Sequence, residues 1–229
     1  MRISTRTKMA LAAVLALAAG GAFAAFAFGV NVYSNDFSSQ AEYDQIVRTG
    51  GGKSCDRVHR EKQNAMLVTV KKGPLTCGFR VPVEGDSELP NHAIGMETKL
   101  LSSTSKGVRD GAFVEVTLRA GGGGVGYTLR IFPARKKFEL VRGPGGGEFP
   151  VRGKDNAING VNERNNLSLV ARGAQVSASV NGQELASVQD PNPGQVTGRK
   201  VRIAVGGKKS SSNDVAAIVR RVSVAVPTR

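Results

Sequence analysis

The chain has 229 residues, with 32 Lys and Arg against 18 Asp and Glu, 29 Gly, two Cys and no Trp. That length holds a targeting segment of about thirty residues and one domain of roughly 200 with its own core, and it argues against two domains. The formal charge of +14 favours polyanionic partners: wall polymers, anionic lipid head groups, acidic polysaccharide or nucleic acid. The basic residues are scattered, so no specific nucleic-acid partner is expected and plain solubility is an equal reading.

Residues Met1 to Lys8 carry Arg2, Arg6 and Lys8, and Met9 to Val30 then run 22 residues without a charge. A positive start before an apolar stretch is a secretion signal. Ala22-Phe23-Ala24 and Ala25-Phe26-Ala27 are both acceptable cleavage sites. The stretch is also long enough to span a bilayer as an N-terminal hydrophobic helix. Residues 1–30 are therefore a signal peptide or a retained membrane anchor, and residues 31–229 the folded domain. Either way the domain is exported, secreted or held on the outer face of the cytoplasmic membrane. Without the three leader cations, 29 basic residues still face 18 acidic ones.

The next elements are short and alternating. Asn31 to Ser39 is the first strand. Ala41 to Gln63 is polar and irregular, a loop with one short strand around Ile46. Ala65 to Lys71 and Leu75 to Val83 are strands. In an oxidising compartment Cys55 and Cys77 pair most simply with each other, closing a loop of about 22 residues and stabilising by about 3 kcal/mol. Two cysteines with only His59 nearby fall short of a zinc site.

Ala93 to Leu101 is a long strand and Thr104 to Gly111 a loop. Ala112 to Ala120, Val125 to Phe132 and Lys136 to Arg142 form a meander, and Glu148 to Arg152 is a further short strand. In that meander the loops at Gly121–Gly124 and Pro133–Lys136 set the register. Val116 faces Leu129, Val114 faces Ile131, and Leu129 faces Leu140. The apolar residues then share one face, as a period of two requires. The other face carries Glu115, Arg130 and Glu139 side by side.

Asn165 to Asp190 forms three more strands. Leu167, Leu169 and Ala171 alternate with polar residues, Gly173 turns the chain, and Val176, Ala178 and Val180 alternate with serines. Asn181-Gly182 is a strong hairpin signal, because a type I′ turn needs φ > 0 at both central residues. The return strand carries Leu185 and Val188. Lys200 to Val205 and Val215 to Val226 complete about twelve strands, the last pairing near the first. The pattern is that of an all-β antiparallel sandwich.

This Asn165–Asp190 meander resembles the late strands of the concanavalin-A-like lectin and glucanase sandwich, the jelly-roll fold of laminin-G-like and family-16 hydrolase domains. Asp36-Phe37-Ser38 is similar to the start of such domains. The fold hosts lectins, hydrolases and inert modules alike. The laminarinase-type hydrolases carry E-x-D-x-E or E-x-D-x-x-E on one strand. Here Glu97, Glu115, Glu139 and Glu148 are followed two residues later by Lys, Thr, Val and Pro, so no catalytic residue is assigned. Many relatives bind calcium where the first and last strands meet. Arg220 stands where the carboxylate would be, so no metal or cofactor is expected, although Asp36 and Asp214 could approach each other.

The candidate ligand contacts are Arg119, Arg130, Arg202, Glu115, Glu139 and Tyr127. Arg119, Arg142, Arg152 and Arg202 fall at strand ends or on polar faces, and several of them sharing the concave sheet with Arg130 would attract anions. The Glu115–Arg130–Glu139 row reads first as a cross-strand charge ladder. As a hydrolytic pair it is poor, because its carboxylates stand two strands apart and an arginine between them favours their charged forms. Tyr127 fits a core or rim position better than a flat platform for a sugar, and the missing Trp makes a neutral-glycan lectin a poor expectation. The Gly runs lack a following Gly-Lys-Ser/Thr and a helix, so they are hairpin loops. The chain is expected to be a non-catalytic, exported or surface-anchored binding module for anionic cell-envelope polymer or glycan. The alternatives are an atypical glycan hydrolase and a purely structural envelope protein.

Overall fold

A computed structural model describes residues 29–71, 76–83, 91–104, 106–121, 125–143, 151–207 and 214–226. The leader expected over residues 1–30 lies outside these up to residue 28. Among the described residues no helix is long and apolar enough to cross a membrane. The Gly-rich loops after Gly121 and Gly143 also lie mostly outside them.

Among the described residues, fifteen strands form two antiparallel sheets. The first is ordered β13-β12-β11-β6-β15-β4-β3, with β1 also on β15, and is called sheet A. It contains β1 (Val30–Asn35), β3 (Cys55–Arg60), β4 (Ala65–Val70), β6 (His92–Leu100), β11 (Arg164–Arg172), β12 (Gln175–Val180), β13 (Gln183–Gln189) and β15 (Val215–Val226). Sheet B is ordered β10-β9-β8-β7-β14-β5-β2. Its strands are β2 (Val47–Arg48), β5 (Thr76–Val81), β7 (Ala112–Ala120), β8 (Tyr127–Phe132), β9 (Lys137–Arg142), β10 (Val151–Lys154) and β14 (Lys200–Gly207).

The registers expected in the β7–β8–β9 meander are the observed ones. Val116 pairs with Leu129, Glu115 with Arg130, and Arg130 with Glu139. Leu167 pairs with Val180 and Leu169 with Ala178. Asn181 and Gly182 have φ of 50° and 84°, the doubly left-handed geometry of a type I′ turn. Alternation then directs Val114, Val116, Leu129, Ile131 and Leu140 of sheet B against Ile94, Met96, Leu167 and Leu169 of sheet A, all within one buried cluster. Each such side chain, fully withdrawn from water, stabilises by roughly 1.5–3 kcal/mol. The C-terminal β15 does pair with the first strand. Its Val222–Val226 half lies on β1, and its Val215–Val219 half lies on β4.

Three local expectations change. Residues 41–63 are not one loop. Ser39 caps the helix α1 (Gln40–Gln45), accepting from the Glu42 amide while the Glu42 side chain reaches back, which is a capping box. β3 follows in the same stretch and starts at Cys55. Cys55 and Cys77 are joined, with their Cα atoms 5.4 Å apart, so the disulfide ties β3 of sheet A to β5 of sheet B. The loop before β7 contains the short helix α2 (Lys106–Arg109). Finally, Asp36 and Asp214 do not approach. Asp36 follows Asn35, which pairs with Val222, whereas Asp214 precedes the far end of β15. That separation is roughly 25 Å of extended chain.

Candidate functional site

The outward positions of sheet B are the residues that alternate with its core. One row crosses the sheet by register, through Arg152, Glu139, Arg130, Glu115, Ala204 and Gly78. Arg130 is held from three sides. Its Nε and Nη2 lie 2.8 and 2.7 Å from Glu115 Oε2, and Nη1 lies 3.6 Å from Glu139. Its guanidinium also sits 4.0 Å from the centre of the Phe113 ring. Arg152 adds a looser contact to Glu139 at 3.6 Å. The row is therefore the expected ladder, extended by one arginine. Both carboxylates lie within ion-pair distance of an arginine.

Arg202 also faces outward, paired with Thr117 on one side and Arg80 on the other. Its side chain lies across Gly78, where an added Cβ would stand 2.8 Å from Arg202 Nη2. Beyond the other end of the ladder, a cleft of about 360 Å³ opens beside β9 and β10, lined by Phe132, Arg135, Lys137, Glu139, Arg152 and Lys154 among others. Among the described residues its cations outnumber its carboxylates, Glu139 and Asp110 being the acidic ones that line it. Asp110 is paired with Arg135 at 3.2 Å.

Arg119 and Tyr127 stand elsewhere. Arg119 occupies a bulge in β7, with φ of 52° and a shift in the β7–β14 register. The bulge turns its side chain off the outer face. The guanidinium donates to the Gly173 carbonyl in sheet A at 3.0 Å and lies 5.4 Å from the Tyr127 ring centre. Tyr127 is fully buried. Its hydroxyl donates to Asp190 Oδ2 at 2.7 Å. Burial first, then that hydrogen bond and charge, push the phenol well above the ordinary tyrosine range. Arg142, expected on a polar face, points inward too and donates to Asp190 Oδ1 at 2.8 Å and to the Asn192 carbonyl. These four residues form a polar lock between the sheets.

The structure thus brings Glu115, Arg130, Glu139 and Arg202 to one face with Arg152, and removes Arg119, Tyr127 and Arg142 from it. It adds Arg80, Arg135, Lys137 and Lys154, which sequence reasoning did not single out. Lys137 and Lys154 become visible only when β10 is placed opposite β9, with Val151 on Leu140. The boundary expected at Glu148–Arg152 stops two residues short of Lys154. Among the described residues no three His, Cys, Asp or Glu side chains gather as metal ligands would.

No protein-family model matches the chain, and no curated protein matches it by sequence. Solved structures do. A Bacillus subtilis protein of unknown function with a galectin-like fold superposes with a TM-score of 0.60 at 12% identity, covering 88% of this chain and 99% of that one. A transglycosylase, Crh5, in complex with NAG gives 0.59 at 11%, covering 88% and 86%. The carbohydrate recognition domain of Emp46p gives 0.57 at 9%, covering 88% and 98%. At such identities the likeness is one of fold, and the chain has the galectin-like, concanavalin-A-like β-sandwich fold.

Proposed function

We propose that the chain is a non-catalytic, exported glycan-binding module whose ligand lies on the outer face of sheet B, with a preference for anionic cell-envelope polymer. The observation that carries this reading is the make-up of that face. It is cationic at both ends, its carboxylates are neutralised by arginine, and it has a cleft within the size range of small-ligand sites. Similarity in fold to a carbohydrate recognition domain supports a sugar ligand. Similarity to a transglycosylase keeps the enzymatic alternative in view. The engaged state of Glu115 and Glu139 weighs against it, because glycoside hydrolysis needs one carboxyl group to donate a proton. Export is supported by the charged-then-apolar leader and by the disulfide, which belongs to an oxidising compartment.

The test is binding of the purified chain to cell-wall fractions and to neutral and acidic glycans at low and high salt, with product analysis alongside. Retention of intact acidic glycans that fades with salt is expected. Release of shortened or transferred sugars would replace the binding reading with an enzymatic one. Absence of binding to every glycan and wall fraction would favour a structural envelope protein.

A further inference from the structure

Two features of the sheet B face are unfavourable without a ligand. Lys137 and Lys154 stand directly opposite each other across β9 and β10. Arg80 and Arg202 stand directly opposite each other across β5 and β14. Like charges in facing cross-strand positions destabilise a sheet. None of the four has a carboxylate partner among the described residues. Sheet A shows the contrast. There Lys99 faces Arg164, but Glu97 lies 3.4 Å from Arg164 and offsets the pair.

These two pairs, without a carboxylate partner among the described residues, flank the ladder diagonally. The Lys137–Lys154 pair belongs to the end of the face where β8 finishes, and the cleft opens on it. The Arg80–Arg202 pair lies toward the opposite end of the strands. From β9 to β14 is three strand spacings, and from the Lys137 row to the Arg202 row is four residues. Those steps are about 14 Å each, or roughly 20 Å along the diagonal. On the Arg202 side, Ala204 and Gly78 put almost no side chain beside Glu115, leaving a shallow floor across which Arg202 lies.

We infer that this face binds an extended polyanionic polysaccharide, clamped at two anion subsites, one at Lys137–Lys154 with Arg152 and one at Arg80–Arg202. A single sugar is too short to reach both, so the ligand is a polymer with carboxylate or sulfate groups along its length. The inference rests on the glycan-binding reading and adds the substrate class and the two contact points. Joining two weak subsites through one ligand raises affinity with chain length, because the second contact forms at a high effective concentration.

The experiment measures affinity of the full chain for a polyuronate, a sulfated glycosaminoglycan, a neutral glucan and a single-stranded DNA, each as polymer and as short oligomer. The variants are Lys137→Ser/Lys154→Ser, Arg80→Ser/Arg202→Ser, and the charge-matched control Lys99→Ser/Arg164→Ser on sheet A, with thermal melts to confirm folding. Expected are binding of at least one acidic glycan polymer, at least a tenfold loss for either sheet B variant, and less than a twofold change for the control. Short oligomers should bind at least tenfold more weakly than the polymer. Equal losses in all three variants would overturn the inference by reducing it to net charge. Binding to the neutral glucan alone would overturn it while leaving the glycan reading intact. DNA binding as tight as the glycan's, with the same dependence on the four cations, would overturn it in favour of a nucleic-acid face. Failure to bind any glycan would sink the glycan reading as well.

Discussion

Two clusters of arginine and carboxylate lie on opposite faces of the same three-strand meander, β7–β8–β9. Arg130 with Glu115 and Glu139 lies on the outer face, with side chains 13–30% exposed. Arg142 with Asp190 and Tyr127 lies on the inner face, where Arg142 and Asp190 are 4% and 0% exposed. The residue types and distances are nearly the same, but the consequences differ. Outside, water competes for every charge and a pair is worth a fraction of a kcal/mol. Inside, each charge has been taken from water, so its partner is what keeps it tolerable. Alternation alone decides which arginine can meet a ligand and which holds the sheets in place.

The inner cluster is where the comparison breaks most visibly. Asp190→Ala removes the acceptor of both the Arg142 guanidinium and the Tyr127 hydroxyl. Removing one partner of a buried ion pair costs about 3–5 kcal/mol. In a chain of this size, that corresponds to a fall in Tm of roughly 10 °C. Calorimetry of the variant checks it. A change below about 1 kcal/mol would mean that the contacts Arg142 keeps, the Asn192 carbonyl among them, suffice without Asp190, and that the inner cluster behaves like the outer one.

Tyr127→Phe is the next test. It removes a buried hydrogen bond to a charged acceptor, and such bonds contribute about 1.5–3 kcal/mol. It also carries a pH signature. Burial, followed by the Asp190 hydrogen bond, raises the folded-state phenol above its reference value of 10.0. An acid whose folded pKa is raised contributes stability that is complete below the unfolded pKa and lost as pH rises past it. The wild type should therefore lose stability above about pH 10. The variant should lose less, although Tyr33 and Tyr43, also raised by burial, keep part of the slope. Parallel alkaline profiles would deny Tyr127 that role.

The β7–β8–β9 register follows from alternation plus two tight hairpins, so the outer ladder was legible residue by residue. Gly173 and Asn181-Gly182 made the β11–β12 and β12–β13 turns legible in the same way. Arg119 was misplaced because its direction is set non-locally. The β7 bulge answers the shifted β14 register, and Gly198 packs so closely that an added Cβ would lie 2.3 Å from backbone atoms of Arg119 and Ala120. Arg142 was misplaced because its partner, Asp190, arrives from 48 residues away. β3 was missed because Val58, on an edge strand, is exposed rather than buried, so CDRVHR shows no apolar stripe. α1 spans only six residues, too few for helical periodicity, though Ser39 and Glu42 already spelled its cap.

Gly198→Ala sharpens the point about Arg119. Its Cβ has no room unless the bulge moves, and overpacking of this kind costs about 1–3 kcal/mol. Because Arg119 reaches Gly173 only through that bulge, the loss should shrink when Arg119 is already Ala. A double-mutant cycle checks this, and strictly additive losses would separate the bulge from the inner cluster.

The smallest effect belongs to the ladder. Arg130→Ala removes the Glu115 contacts, the longer Glu139 contact and the Phe113 stacking. At partial exposure these amount to about 1 kcal/mol or less. Salt is the finer probe. At 1 M salt the screening length is about 3 Å against about 10 Å at 0.1 M. The ladder, open to solvent ions, should then contribute less, and the gap between Arg130→Ala and wild type should narrow. The gap for Asp190→Ala should persist, because ions do not enter the space between the sheets. If both gaps closed together with salt, the inner carboxylate would be as solvated as the outer ones, and the phase of the alternation would no longer explain the difference between the two clusters.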